Sequence, residues 1–247
     1  MPKFFIDTCN ISGNSVKIYG SDVKHITKVL RLKTQSILIL CDGEGYDYVA
    51  KLAQIDDDSL SLDILEKKPC TAEPNLKVTL FQGFPKAGKM EYIIEKCTEL
   101  GISSIVPVIT ERTVVKFDEN DSGRKKLERF RKVASESVKQ CARGKIPEIS
   151  NIYSLKQTEA LIKDLDLIIV AYENERETSL KSVLKENKNV SSIGIFIGPE
   201  GGFAEDEINF LTSLGAKKVT LGNRILRTET AGQAVLSAVM YEYNEIQ

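Results

Sequence analysis

Short apolar runs alternate with amphipathic stretches over most of this chain, and this alternation constrains the fold more than any other feature. The apolar runs after residue 75 are KVTLFQ, SIVPVI, DLIIVAY, SIGIFIG and KKVTLG. Between them, apolar residues recur at helical spacing over residues 89–100, 122–143 and 205–214, and Gly101 predicts the end of the first of these helices. Nearly continuous apolar strands that alternate with amphipathic helices predict an α/β fold with a parallel sheet covered on both faces.

The first seventy residues follow a different pattern. Five short segments are β-rich: FFID, SVKIYG, SILILCDG, DYVAKLAQI and SLSLDIL. One helical stretch, residues 21–32, lies among them, with Ser21 and Asp22 as its expected cap. The sequence DGEGYDY is typical of a hairpin turn. We therefore predict a small β-barrel with one helix over residues 1–70.

A proline-containing segment separates the two patterns. KKPCTAEPN carries prolines at positions 69 and 74 and interrupts both periodicities. The boundary between domains is expected there, so that the second domain covers residues 75–247.

Composition indicates an ordinary globular protein. Of the 247 residues, 42% are hydrophobic and 28% are charged. No apolar run approaches the roughly 18 residues that a membrane span needs, and MPKFFID lacks the apolar region of a secretory signal. We expect a cytoplasmic protein without a membrane partner. The five cysteines form no CxxC pair and the chain has one histidine, so no metal site is predicted.

Positive charge is concentrated in one segment. Nine basic and two acidic residues lie between Arg124 and Lys145, although the chain has a formal net charge of −1. A polyanion such as RNA would bind such a stripe, but the solvated face of a helix has the same pattern. Both interpretations stay open at this point.

The segment GFPKAGK, residues 83–89, has the spacing of half a phosphate-binding loop. Met90 stands where that motif has the Ser or Thr that holds Mg²⁺, so an NTPase is disfavoured. We expect instead a basic loop with Lys86 and Lys89 near substrate.

Two glycine-containing loops follow apolar strands. In IGIFIGPEGGF, three glycines at the carboxyl end of a predicted parallel strand allow a ligand to approach the main chain closely; a tight structural turn is the alternative. In VTLGNRILRTETA, Thr228 is the expected cap of a long final helix. Arg227 and Glu229 would stand beside the same pocket, unless they form a structural ion pair at the helix start.

Four segments together resemble one family. They are HITKVLRLK (residues 25–33), EKCTELGISSIVPVITERTVVK (95–116), GPEGGF (198–203) and LGNRILRTETA (221–231). In this order they are similar to the RsmE-type 16S ribosomal RNA uridine-N3 methyltransferases of the SPOUT superfamily. The resemblance covers essentially the whole chain. Any one of these motifs would be weak evidence, whereas four in the same order are specific.

The resemblance implies an architecture and partners that periodicity alone does not indicate. The expected fold is an N-terminal PUA-like barrel followed by a SPOUT α/β domain with a deep C-terminal trefoil knot. The expected assembly is a homodimer that binds S-adenosylmethionine in the knot and acts on 16S ribosomal RNA of the small subunit. No metal is implied.

The resemblance also assigns residues. Cofactor binding is implied for Ala171, Tyr172, Glu173, Gly198, Pro199, Glu200, Gly201, Gly202, Leu221, Gly222, Arg224, Ile225, Leu226 and Arg227. RNA binding is expected for Lys28, Arg31, Lys33, Lys86, Lys89, Arg112 and Arg143. Arg227 would stabilise the developing uridine anion or an adjacent phosphate, and Glu229 would accept the N3 proton or cap the helix. His25 is expected to pack or to cap rather than to catalyse.

The chain departs from the family pattern at one position. Ala204 stands where many family members have a serine that caps the next helix, and the missing cap should lower stability by about 1 kcal/mol. A barrel with a basic helix would also suit an RNA-binding factor without enzymatic activity, which would have no use for a glycine-lined pocket.

Overall fold

The computed structural model describes residues 3–86, 88–115 and 121–246, so Lys116, the last residue of the second motif, lies outside the described residues. The chain divides into two compact units, Met1–Glu73 with Val138–Ile146, and Pro74–Ser137 with Pro147–Gln247. The first expected domain ended at residue 70 and did not include residues 138–146. The Glu73 carboxylate explains the difference, because its Oε1 accepts hydrogen bonds from the backbone N–H groups of Gly144 at 2.6 Å and Lys145 at 2.9 Å.

The first unit contains a six-stranded sheet. Its strands are β1 (Lys3–Phe5), β2 (Ile11–Ser12), β3 (Ser15–Tyr19), β4 (Ile37–Cys41), β5 (Tyr46–Ile55) and β6 (Ser59–Pro69). They lie in the order β1-β4-β5-β6-β3-β2, with β1 and β4 parallel and the other neighbours antiparallel. Alternate residues, such as Leu38 and Leu40, are buried in one core, as expected for a half-buried strand. Strand β6 runs three residues into the segment predicted as the boundary.

The predicted helix over residues 21–32 is shorter than expected. An α-helical turn, α1 (Ser21–Lys24), continues as a π-helical segment, His25–Val29. Gly20 occupies the N-cap position without a side-chain hydrogen bond, so the expected cap by Ser21 and Asp22 is wrong. The helix ends before Arg31, whose φ of 53° is left-handed. His25 packs edge-on against Phe4, with ring centroids 5.7 Å apart.

The second unit contains a seven-stranded sheet in which all pairs are parallel. Its strands are β7 (Lys77–Gly83), β8 (Ser104–Ile109), β9 (Glu148–Ile149), β10 (Tyr153–Ser154), β11 (Leu167–Ala171), β12 (Ser192–Ile197) and β13 (Lys217–Val219). The order is β10-β8-β7-β12-β11-β13, and β9 pairs with β8. The five predicted strands are confirmed, whereas β9 and β10, at two residues each, are too short to show a period.

Six helices follow α1 in the described residues. They are α2 (Lys89–Glu99), α3 (Asp121–Cys141), α4 (Glu159–Ile162), α5 (Leu180–Glu186), α6 (Glu205–Ser213) and α7 (Thr228–Glu242). Gly101, with φ of 94°, lies just beyond α2 as predicted. The short helices α4 and α5 were not predicted. Within the described ranges, no helix has the length and apolar character needed to cross a lipid bilayer.

Both faces of the parallel sheet are covered. Leu80 of β7 packs with Ile195 of β12 in one cluster, which includes residues of α2 and α7. On the opposite face Phe81 stacks on Phe196, with ring centroids 4.3 Å apart, in a second cluster that includes residues of α6. This arrangement confirms the predicted two-sided parallel sheet.

Candidate functional site

A cavity of about 670 Å³ lies at the carboxyl ends of strands β11, β12 and β13. Three loops line it: residues 171–173 with Arg176, residues 198–202, and residues 220–228. All fourteen residues that the resemblance assigned to the cofactor line this cavity. Parallel strands present their carboxyl ends at one edge, which is where open α/β sheets bind ligands.

The loop after β12 needs its glycines for tight packing. Gly202 has a φ of 68° and its N–H donates to the Pro199 carbonyl at 2.9 Å. A Cβ on Gly202 would lie 2.4 Å from Glu173 Oε1, and one on Gly198 would lie 3.0 Å from the Gly202 backbone. The structural-turn alternative is therefore partly right, since the same glycines make the turn and line the cavity.

Gly83, the first glycine of the phosphate-loop-like segment, is needed for another close approach. A Cβ there would lie 2.5 Å from the Pro199 backbone nitrogen. The end of β7 thus packs directly against the loop after β12.

The final helix begins differently from the prediction. Arg227 is its N-cap residue and Thr228 is the first helical residue, so Thr228 is not the cap. The Thr228 hydroxyl donates instead to the Gly198 carbonyl at 2.6 Å. This bond joins the start of α7 to the loop after β12.

The loop after β11, which forms one wall of the cavity, is held by a carboxylate that sequence patterns did not indicate. Glu175 Oε1 accepts hydrogen bonds from the backbone N–H groups of Arg176, Glu177 and Thr178 at 2.8–3.0 Å. The hydrogen bonds from Thr178 and Glu177, with Lys218 Nζ 3.4 Å from Oε2, lower the pKa of Glu175 to about 2. Arg176 also lines the cavity, and neither residue belongs to a motif.

Lys89 joins two carboxylates at the cavity. Its Nζ lies 3.0 Å from Glu200 Oε1 and 3.2 Å from Glu229 Oε2. Hydrogen bonding to Glu200 and then to Glu229 raises the pKa of Lys89. Burial opposes ionisation of both carboxylates, but Lys89 and backbone N–H groups keep the pKa of each below its usual value. An ammonium held by two carboxylates is poorly placed to bind phosphate, which further disfavours an NTPase.

The residues expected to bind RNA have different surroundings. Lys28, Arg31 and Lys33 are exposed in the first unit. In the second unit the Lys86 side chain is exposed, and Arg112, also exposed, donates to the Gly201 carbonyl at 2.8 Å. The RNA-binding roles of these five residues stay predictions, as does that of Lys89, although its ammonium already pairs with Glu200 and Glu229.

The expected RNA contact of Arg143 is corrected by the structure. Arg143 is only 4% exposed, and its Nη2 lies 3.0 Å from Glu73 Oε2. A guanidinium that is buried and paired with a carboxylate has almost no surface with which to contact a nucleic acid.

Both the N-terminal and the C-terminal part of the chain match known protein families. A family model described as an RNA methyltransferase domain matches residues 72–240, and one described as an RNA methyltransferase PUA domain matches residues 18–65. The ribosomal RNA small subunit methyltransferase E of Bacillus subtilis (strain 168) is 34% identical over 91% of this chain and 89% of its own length. That of Rickettsia conorii is 32% identical over 88% of this chain and 85% of its own.

Solved structures give the same result. The ribosomal RNA small subunit methyltransferase E from Neisseria gonorrhoeae, bound to S-adenosyl methionine, is 30% identical with a TM-score of 0.83, over 98% of this chain and 97% of that one. A methyltransferase from Legionella pneumophila with bound cofactor is 27% identical with a TM-score of 0.82, over 97% of each chain. With a cavity at the strand ends and matches over nearly its full length, the chain belongs to the ribosomal RNA small subunit methyltransferase E family.

Proposed function

We propose that the protein transfers a methyl group from S-adenosylmethionine to N3 of a uridine in 16S ribosomal RNA. The observation that carries this proposal is the convergence of three loops, far apart in sequence, on one cavity at the strand ends. Two relatives of known structure have this cofactor bound. An RNA-binding factor without activity would leave this cavity without a role.

The cavity fits a ligand of this size and chemistry. Its volume of about 670 Å³ is within the range of small-molecule sites. Leu221 and Leu226 give it apolar surface, while the glycine loop gives it main-chain donors and acceptors. Glu173 and Arg176 add groups of opposite charge. These residues would hold the nucleoside and the charged amino-acid part of the cofactor.

The bound cofactor supplies an electrophilic methyl group, so the protein has to align the target base and stabilise the charge that forms on it. N3 lies on the Watson–Crick edge and carries a proton, so the uridine must be unpaired. We assign Arg227 to the developing anion because it lines the cavity and its side chain is exposed there.

Glu229 is better suited to positioning than to proton transfer. Pairing with Lys89 keeps Glu229 ionised, as a proton acceptor must be, but it also makes the carboxylate a weaker base. We propose that Glu229 and Glu200 orient Lys89 at the cavity wall.

The substitution Arg227→Ala tests the assignment. We expect methyl transfer to small ribosomal subunits to fall by about 10²–10³-fold, the usual effect of removing one transition-state donor. The thermal midpoint should be unchanged, since Arg227 is exposed. Lys163→Ala, at an exposed cation outside the cavity lining, is the matched control and should retain full activity. Full activity of Arg227→Ala in a radiolabelled methyl-transfer assay would refute the assignment.

We also propose that the protein is a cytoplasmic homodimer. Tyr92 on α2 and Tyr241 on α7 are 47% and 71% exposed, and these two helices contact each other. Aromatic side chains are enriched at protein interfaces, so we propose this pair of helices as the surface of the dimer that the resemblance implies. Sedimentation equilibrium should give twice the monomer mass, whereas a monomer at micromolar concentration would contradict the proposal.

A further inference from the structure

Strand β7 carries a buried polar side chain that the mechanism above does not use. Gln82 has no exposed surface. The two residues before it on the strand, Leu80 and Phe81, are apolar core residues on opposite faces of the sheet, so the Gln82 amide lies in apolar surroundings. A buried amide is stable only if it is hydrogen-bonded. The hydrogen-bond partners of Gln82 therefore indicate the role of its amide.

The Gln82 amide continues the hydrogen bond between α7 and the glycine loop. Its Nε2 donates to the Thr228 hydroxyl at 2.8 Å and to the Gly83 carbonyl at 3.0 Å. Thr228 Oγ1 in turn donates to the Gly198 carbonyl at 2.6 Å. A hydroxyl has one proton, so Thr228 has to accept from Gln82 while it donates to Gly198.

The direction of this chain is fixed by the acceptors. If the amide were reversed, Gln82 Oε1 would face the Gly83 carbonyl, and two acceptors would be in contact. Thr228 would then have to donate to Gln82 and could not donate to Gly198. Only one orientation of the amide satisfies all three partners.

This orientation leaves one oxygen without a partner. In the part of the chain that the structure describes, three buried side-chain oxygens have no hydrogen bond: Asp47 Oδ1, Glu229 Oε2 and Gln82 Oε1. The first lies 2.7 Å from Lys3 Nζ and the second 3.2 Å from Lys89 Nζ, so each is in an ion pair. Of these three oxygens, only Gln82 Oε1 has neither a hydrogen bond nor an ion pair. It faces helix α7 at Gly232, and a Cβ added to Gly232 would lie 3.5 Å from it. A buried orphan acceptor is unfavourable for folding, which indicates that the amide serves the site rather than stability.

We propose that Gln82 is a positioning residue for the cofactor cavity. Its amide directs the Thr228 hydroxyl to the Gly198 carbonyl, and so fixes the glycine loop against the start of α7. Gly198 and Thr228 both line the cavity, whereas Gln82 lies behind them. The inference rests on the proposed function, since the ligand whose affinity it sets is S-adenosylmethionine.

The substitution Gln82→Met separates positioning from stability. Methionine keeps the length of the side chain but removes the donor to Thr228 together with the orphan oxygen. We expect the thermal midpoint of the cofactor-free protein to stay within about 2 °C of wild type, because the lost bonds and the removed oxygen offset each other. Affinity for S-adenosylmethionine, measured by calorimetry, should fall about tenfold, the effect of one ordinary hydrogen bond. A midpoint lowered by many degrees with unchanged affinity would show a merely structural role and overturn the proposal.

Thr228 provides the second, independent variant. Thr228→Val removes the hydroxyl at nearly constant volume and should weaken cofactor binding about tenfold, whereas Thr228→Ser keeps the hydroxyl and should bind like wild type. If Gln82 acts through Thr228, the double variant Gln82→Met/Thr228→Val should also lose about tenfold. A loss of about a hundredfold would mean independent roles and would contradict the proposal.

A buried threonine elsewhere is the control. Thr158 is fully buried, and its hydroxyl donates to the Leu155 carbonyl at 2.6 Å, outside the cavity lining. Thr158→Val should lower the thermal midpoint and leave cofactor affinity unchanged. If wild type itself fails to bind S-adenosylmethionine, the proposed function fails. If wild type binds and the Gln82 and Thr228 variants bind equally well, only the present inference fails.

Discussion

Several charged side chains in this protein organise backbone rather than contact a substrate. Glu175 collects three backbone N–H groups, and Glu73 holds Arg143 across 70 residues of sequence. No local pattern could indicate such pairs, because each depends on residues that only the fold brings together. The two glycine loops that line the cavity stand out in the sequence for the opposite reason, since glycines next to apolar strands are local signals, whereas residues 171–173 came from the resemblance alone.

The substitution Glu175→Gln should lower the free energy of unfolding, by an amount that depends on pH. The folded-state pKa is lowered from 4.5 to about 2 by backbone hydrogen bonds, so the carboxylate stabilises the protein above pH 4.5. That contribution is lost as pH falls from 4.5 towards 2. Denaturant titrations of wild type and variant should show a difference in unfolding free energy at pH 7 that shrinks below pH 4.5. A difference that does not change with pH would contradict this account.

Two glycine-to-alanine substitutions should have opposite effects. Gly83→Ala places a Cβ 2.5 Å from the Pro199 backbone, which must move, so both stability and cofactor affinity should fall. Gly232→Ala meets atoms at 3.5 Å or more inside helix α7, and should stabilise the protein by up to about 1 kcal/mol. Thermal midpoints check both signs. If both substitutions changed the thermal midpoint equally, the close contact of Gly83 with Pro199 would not contribute to stability, contrary to this account.

Helix starts are where the predictions from sequence were least accurate. The apolar period fixed the extent of α2 and α6 to within one or two residues, but the caps of α1 and α7 are Gly20 and Arg227 rather than the predicted residues. A cap depends on the backbone angles of one residue and on nearby acceptors, and periodicity does not report these. The π-helical segment after α1 was missed for the same reason.

Helix α6 retains half of a capping box. Ala204 is its N-cap residue and has no side-chain acceptor, while Glu207 Oε2 accepts from the Ala204 N–H at 2.9 Å. The other oxygen of Glu207 accepts from the Glu111 N–H at 2.8 Å. The expected loss of the serine cap is therefore real but partial.

Ala204→Ser should stabilise the protein by about 1 kcal/mol, because the new hydroxyl would satisfy one N–H of the first turn. The backbone at Ala204, with φ of −71° and ψ of 158°, already has the extended conformation of a cap. Denaturant unfolding measures the gain, and cofactor affinity should not change. An unchanged or lower stability would mean that the half-box already satisfies this helix end.

The architecture of the whole chain follows from its two periodicities. Short β-rich segments between turn residues predicted the first sheet, and apolar strands between amphipathic helices predicted the second, together with the edge where the cavity lies. Residues 138–146 group with the first unit, although residues 138–141 are the end of helix α3, whose earlier part belongs to the second unit; no periodicity could indicate this division within one helix. The trefoil knot stays a prediction from the resemblance.

The most direct test is to incubate the purified protein with S-adenosylmethionine and small ribosomal subunits from a strain that lacks the enzyme. Mass spectrometry of the digested RNA should then show one new 3-methyluridine in each 16S ribosomal RNA, and about 10²–10³-fold slower formation of this nucleoside with Arg227→Ala. Absence of methyl transfer by wild type, or a methyl group on another base or another atom of uridine, would contradict the proposed function.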